Sequence, residues 1–170
     1  IALPALGAAA KDTLSIGITQ FPSTFHPNID SMLAKSYILG MTRRPLTMHR
    51  AAWNLGCMLC ETLPTLENGQ AKLETTKLGK PGMAVTYKLN RKAHWGDGKP
   101  ITTADVVFTW KVGKHPLSGV SNLDFYKRIL DIDVHDQHRF TLHLDRRTCD
   151  YNEINAFELL PKHLEAESFS

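Results

Sequence analysis

Two stretches in which apolar and polar residues alternate, each doubled back by a turn, constrain this chain most. In the first, Ala71 and Leu73 precede Gly79-Lys80-Pro81-Gly82, and Val85, Tyr87 and Leu89 then alternate with Thr86, Lys88 and Asn90. In the second, Leu130, Ile132 and Val134 alternate up to Asp136-Gln137, and Phe140, Leu142 and Leu144 alternate beyond it. A period of two puts one strand face on a core and the other in water, and a short turn makes the two runs antiparallel neighbours. Strands that arrive as hairpins argue against a doubly wound parallel sheet, whose strands are joined by crossover helices. The expected fold class is therefore α+β, antiparallel hairpins with interleaved helices.

Between the hairpins lies the most structured single stretch, Trp95 to Trp110. Gly96-Asp97-Gly98 is a tight turn, with glycines free to take positive φ. Thr102 or Thr103 caps a helix that follows, and Asp105, three residues after Thr102, supplies a near capping box and a charge suited to a helix N-terminus. Val107, Phe108 and Lys111 carry the helix to about Lys114, and Pro116 stops it. Elsewhere the signals are shorter. Leu14, Ile16 and Ile18 alternate as a strand, and Phe21 to Pro27 is a proline-containing loop. Met32, Leu33, Tyr37, Ile38 and Met41 make a helical stripe over Ser31 to Met41. Pro45 disfavours its continuation. Residues 46–70 say little beyond a turn at Asn68-Gly69, and Pro161 opens a short helix to Glu167.

Composition narrows the class of function. The 170 residues amount to one domain or parts of two. No run of about 18 apolar residues exists, which excludes a spanning helix. A net charge of +3 without a Lys/Arg block gives no basic stripe of the kind that binds nucleic acid. Residues Ile1 to Ala10, IALPALGAAA, read as the end of a secretory signal with an A-x-A site at Ala8-Ala9-Ala10. The mature chain is then expected to start near Lys11, and the abrupt stop after Phe169-Ser170 reads as an excerpt of a longer product. Of three cysteines, Cys57 and Cys60 form a C-x-x-C and Cys149 is left over. With no second C-x-x-C and no H-x-x-x-H, four zinc ligands are not supplied. The pair reads as buried or locally disulfide-bonded, the alternative being a thiol-active exported protein using Cys57 and Cys60.

The stretch WGDGKPITTADVVFTW resembles the signature of the family 5 extracellular solute-binding proteins, receptors for peptides, dipeptides and nickel in ABC importers. Trp95, Gly96, Asp97-Gly98, Pro100-Ile101-Thr102 and Ala104-Asp105-Val106-Val107-Phe108 follow its pattern, with Thr103 shifting the alanine by one place. Further elements agree in order: Leu14-Ser-Ile16 with Thr24-Phe-His-Pro27, then Val85 to Leu89, then Ile132 to Leu142, then Leu159-Leu-Pro161-Lys-His163. The likeness covers roughly residues 13–164. His26 stands where the family usually has Asp, and Leu63-Pro-Thr-Leu-Glu67 replaces a familiar stretch, which marks a divergent subgroup.

The resemblance implies part of the N-terminal lobe of a two-lobed periplasmic binding protein fold. Its expected divisions are a signal remnant at 1–10, the first segment of the ligand-binding lobe at 11–41, a small inserted α+β domain at 42–155, and the return to the first lobe at 156–170. It implies a binding protein and not an enzyme: a monomer in the periplasm that captures small peptides for ABC importer permease subunits, without cofactor or metal. Carried over by position, Ser31, Met32, Leu33 and Ala34 line the ligand cleft. The alternative is that Met32 and Leu33 are the buried face of the next helix. A stand-alone interaction domain is a further alternative for the whole chain.

Several other residues invite chemistry and have plainer explanations. Asp97 and Asp105 fit turn and cap roles better than an acid/base pair. Trp95, Phe108 and Trp110 fit a core. His135 and His138 flank a turn, and His143 lies on the face opposite Leu142, so three imidazoles do not converge on a metal. Arg43-Arg44 and Arg146-Arg147 read as solvated surface pairs.

Overall fold

The computed structural model describes residues 15–169. The expected signal remnant at 1–10 lies outside them. Among the described residues there are four helices: α1 (Leu33–Thr42), α2 (Thr103–Lys114), α3 (Leu123–Arg128) and α4 (Lys162–Phe169). Six strands accompany them: β1 (Thr47–His49), β2 (Leu55–Cys57), β3 (Ala71–Thr75), β4 (Pro81–Lys88), β5 (Ile129–Asp136) and β6 (Arg139–Leu144).

Both expected hairpins form, and they join into one antiparallel sheet of order β3-β4-β6-β5. The alternation sets its faces. Val85, Tyr87 and Leu89 of the first hairpin are fully buried, and Phe140, Leu142 and Leu144 of the second are buried beside them. Tyr87 and Phe140 face each other across the β4–β6 ladder with rings stacked at 5.6 Å. These side chains pack with Val106 of α2, Tyr126 of α3, Leu46, Ile154 and Phe157 into the main core. The opposite face of the sheet carries polar and charged groups.

Three readings of the sequence are corrected. Residues 15–18 are irregular and Ile16 is 56% exposed, so the alternation there makes no strand among the described residues. The first hairpin turns at Thr76 to Gly79, with Pro81 and Gly82 already in β4. In β5 the register shifts between Ile129 and Asp131, so Ile129 takes the buried position while Leu130 is turned partly out. Such a bulge adds a residue to one strand and flips the parity of what precedes it.

Three elements had no clear signal. β1 pairs with β2 through the turn Arg50–Asn54, in which Trp53 takes φ 59°. A bulky residue in the left-handed region is uncommon, and Trp53, not the neighbouring Asn54, takes it. The six-residue α3 is too short for a periodic pattern. Its charges nevertheless suit the helix dipole, with Asp124 in the first turn and Lys127 and Arg128 in the last.

Candidate functional site

Helix α2 begins as the sequence dictates. The Asp105 carboxylate accepts the Thr102 N–H at 2.9 Å, and the Thr102 side chain in return accepts the Asp105 N–H, which makes a capping box; the Thr102 hydroxyl also lies 3.3 Å from the same carboxylate. Its other oxygen accepts the Lys162 N–H at 3.0 Å, so the same side chain also meets the first turn of α4. One helical turn further on, the Thr109 hydroxyl donates to the Asp105 carbonyl at 2.7 Å and accepts the Leu160 N–H at 2.8 Å. Asp97, in the turn before the helix, accepts the Lys99 N–H at 3.1 Å and lies 2.7 Å from the His163 ring. The Lys99 amide and then His163 hold the Asp97 carboxyl below the usual range. The two acidic residues of the signature therefore hold Lys162 and His163, with Thr109 holding Leu160, and are engaged and not a free carboxylate pair for acid/base work. Phe108 is buried, and Trp95 and Trp110 pack against the main core.

The segment before α1 is held differently. Lys35 is 3% exposed, and its ammonium donates to the carbonyls of His26, Ile29 and Asp30. Three backbone acceptors replace the water that a buried cation loses. Asn28 donates from its side chain to the Glu158 carbonyl at 3.2 Å and accepts the Ser121 N–H on its own carbonyl at 2.9 Å. Ile29 forms a single antiparallel bridge with Val120. The loop is thus fixed from three sides, and the chain emerges from it at Ser31.

The four residues expected to line a cleft are divided by this geometry. Ser31 is exposed, Met32 is half-buried as the extended N-cap of α1, and Leu33 is 64% exposed. Ala34 is 3% exposed and points into the protein. Met32 and Leu33 are therefore not a buried helix face, and Ala34 can offer a ligand only its backbone. Ser31 also borders a cavity of about 350 Å³, together with Lys35, Arg43, Tyr126 and Glu158. In its wall the Tyr126 hydroxyl and Glu158 Oε2 are sealed from solvent without hydrogen-bond partners. Burial raises the Glu158 carboxyl above its ordinary value, against the pull of Arg43 and Lys35. Sequence reasoning had no means of finding Lys35, Tyr126 or Glu158, because each acts across the fold.

Cys57 and Cys60 are joined in a disulfide, and Cys60 lies in the core. The bond fastens the end of β2 to the residue that bridges Leu89. Cys149 is a free, exposed thiol. Among the described residues no group of three or more His, Cys, Asp or Glu side chains is placed to hold a metal ion. Arg43 is not simply a surface group, since it donates to the Leu159 carbonyl at 3.1 Å; Arg146 pairs with Asp145 at 2.7 Å. No described helix is long and apolar enough to cross a membrane.

The side chains of the signature thus serve as scaffold, while Ser31 and Leu33 stand exposed at the start of α1. The sequence profile of the bacterial extracellular solute-binding proteins, family 5 Middle, matches residues 33–168, and the chain belongs to that family. Its members bind solutes and are not enzymes. Among solved structures, an oligopeptide-binding protein from Thermus thermophilus, complexed with a pentapeptide, is 29% identical with a TM-score of 0.72. The match covers 85% of this chain and 24% of that one. AppA from Bacillus subtilis, in complex with a nonapeptide, is 21% identical with a TM-score of 0.67, covering 85% of this chain and 27% of its own. NikZ from Campylobacter jejuni, in complex with Ni(L-His), is 16% identical with a TM-score of 0.65, covering 85% and 26%. The chain thus spans about a quarter of the length of these structures and shares the corresponding part of the periplasmic binding protein fold. No curated protein matches it.

Proposed function

We propose that this chain forms part of the receptor of an ABC importer, with residues 11–41 and 156–170 belonging to the ligand-binding lobe and residues 42–155 inserted between them. The receptor captures short peptides in the periplasm and delivers them, as a monomer, to membrane permease subunits. The observation that carries this reading is the edge Ser31-Met32-Leu33, with Ser31 and Leu33 exposed and Met32 half-buried, presented at the start of α1 by a loop pinned on Lys35. Met32 has φ −128° and ψ 138°, an extended backbone; its carbonyl is held by the Ser36 N–H and hydroxyl, so a peptide laid beside it would gain sequence-tolerant hydrogen bonds from the other backbone groups of Ser31 and Met32. The pentapeptide in the similar Thermus structure makes peptides the favoured ligand class over a nickel chelate.

The test is calorimetry on the longest natural polypeptide that contains this sequence, with a pentapeptide pool in one titration and nickel–histidine in another. Peptide binding is expected, and Leu33→Asp, a change at an exposed position, is expected to weaken it at least about tenfold, or about 1.4 kcal/mol. Unchanged peptide affinity in Leu33→Asp removes this edge from the site. Binding of nickel–histidine with no heat from peptides overturns the choice of ligand.

A further inference from the structure

The outer face of the four-stranded sheet carries an arrangement that ligand capture does not use. His143, in β6, places Nδ1 2.9 Å from Glu74 Oε1 and 3.1 Å from Glu74 Oε2, and places Nε2 3.0 Å from Asp133 Oδ2. Glu74 lies in β3 and Asp133 in β5, the two edges of the sheet. The link between β3 and β6 passes over β4, where Gly82 stands opposite Glu74 and Ala84 opposite His143. The small residues leave the space in which the carboxylate and the ring meet. A second link runs parallel to it, from Lys77 in the β3–β4 turn to Asp131 in β5 at 2.9 Å.

A ring that faces a carboxylate at each nitrogen has its hydrogen bonds satisfied only as the imidazolium, when both nitrogens donate. The neutral ring has one N–H, and its bare nitrogen then faces an anion. We propose that Glu74, His143 and Asp133 form a pH-dependent clasp that ties the two edges of this sheet together while His143 is protonated and releases them when it is not. The surrounding charges support that order. From β5 the ring faces Asp131 and Asp133, and from β3 it faces Glu74, with Lys72 beyond Ala84 in the same row. From β4 no charged side chain lies beside it, the neighbours being Ala84 and then Thr86, which shares a hydrogen bond with Thr141. His135 is turned away onto Thr141 at 2.7 Å, and Lys77 is occupied by Asp131. Burial works against a charge on His143, but Glu74 and Asp133 outweigh it and hold its pKa above the ordinary histidine value. The clasp therefore contributes fully below the unfolded histidine pKa of about 6.5 and is lost as the pH rises through the higher folded value.

The experiment is a ring-nitrogen NMR titration of the whole chain with thermal melts from pH 6 to 9. At pH 6.5 both His143 nitrogens are expected to carry protons, with the midpoint above the ordinary value and lowered in Glu74→Gln and in Asp133→Asn. Between pH 6 and 9 the wild type is expected to lose about 2–4 °C more in melting temperature than His143→Gln does. A midpoint at or below the ordinary value, or one that neither carboxylate variant moves, overturns the proposal. Should His143→Gln not fold, the titration of Asp133→Asn decides, because that carboxylate is 62% exposed and its loss leaves the core untouched.

Discussion

Asp105 ties together two segments of chain 57 positions apart. In the sequence it is a capping residue, and a cap alone contributes about 1 kcal/mol. In the structure it is 4% exposed and also holds the Lys162 N–H, so its removal strands two backbone donors. Asp105→Ala is therefore expected to cost about 2–4 kcal/mol, more than the cap by itself. Urea unfolding measures it, and Asp105→Asn, which keeps one acceptor oxygen, should cost less. A loss near 1 kcal/mol would mean that the bond to Lys162 contributes nothing. Lys35 makes the opposite case. Nothing in its neighbourhood in the sequence marks it, yet it is buried and holds the loop that precedes the proposed ligand edge.

At the scale of elements, α2 and α3 are set by one close approach. A methyl group on Gly113, in the last turn of α2, would lie 2.2 Å from the Tyr126 ring of α3. Helix propensity alone favours Gly113→Ala by about 1 kcal/mol. Overpacking of a buried ring costs about 1–3 kcal/mol and acts against it. Tyr126 is 1% exposed, and the clash falls on ring carbons close to its backbone and not on a flexible end, so the clash wins, with a net loss of about 1–2 kcal/mol. Thermal unfolding checks the sign: a raised melting temperature would show that α3 can shift. α4 is held by other means. None of its residues is fully buried, and its anchors include the hydrogen bonds to Asp105 and Asp97, the packing of Ala166 on Phe108, Val112 and Leu160, and the edge-on contact of Phe169 with Phe108.

For the whole molecule, the main core lies under the sheet, while the N-terminal segment turns large apolar side chains outward. Phe21, Phe25, Leu33, Tyr37 and Met41 are each at least half exposed. A ligand is held tightly when about 70–90% of its surface is covered. The proposed edge, with Ser31 and Leu33 exposed, is one open wall. The 170-residue chain alone is accordingly expected to give no calorimetric heat with a pentapeptide at millimolar concentration. Micromolar binding by it would show that this wall suffices.

The sequence by itself determined the two hairpins, the capped helix α2, its stop before Pro116, and the inward set of Val85, Tyr87, Leu89, Phe140, Leu142 and Leu144. Each depends on residues within a few positions of one another, through period, turn chemistry and capping. It also carried the family, because the turn and cap of Trp95 to Trp110 are local features. Only the tertiary structure decided that Leu33 faces out and Ala34 in, that Asp105 and Asp97 hold Lys162 and His163, and that His143 lies between two carboxylates. It also decided that residues 15–18 make no strand, since a strand requires a partner and alternation does not name one. These outcomes rest on which distant segments lie side by side, and register, not local pattern, sets that.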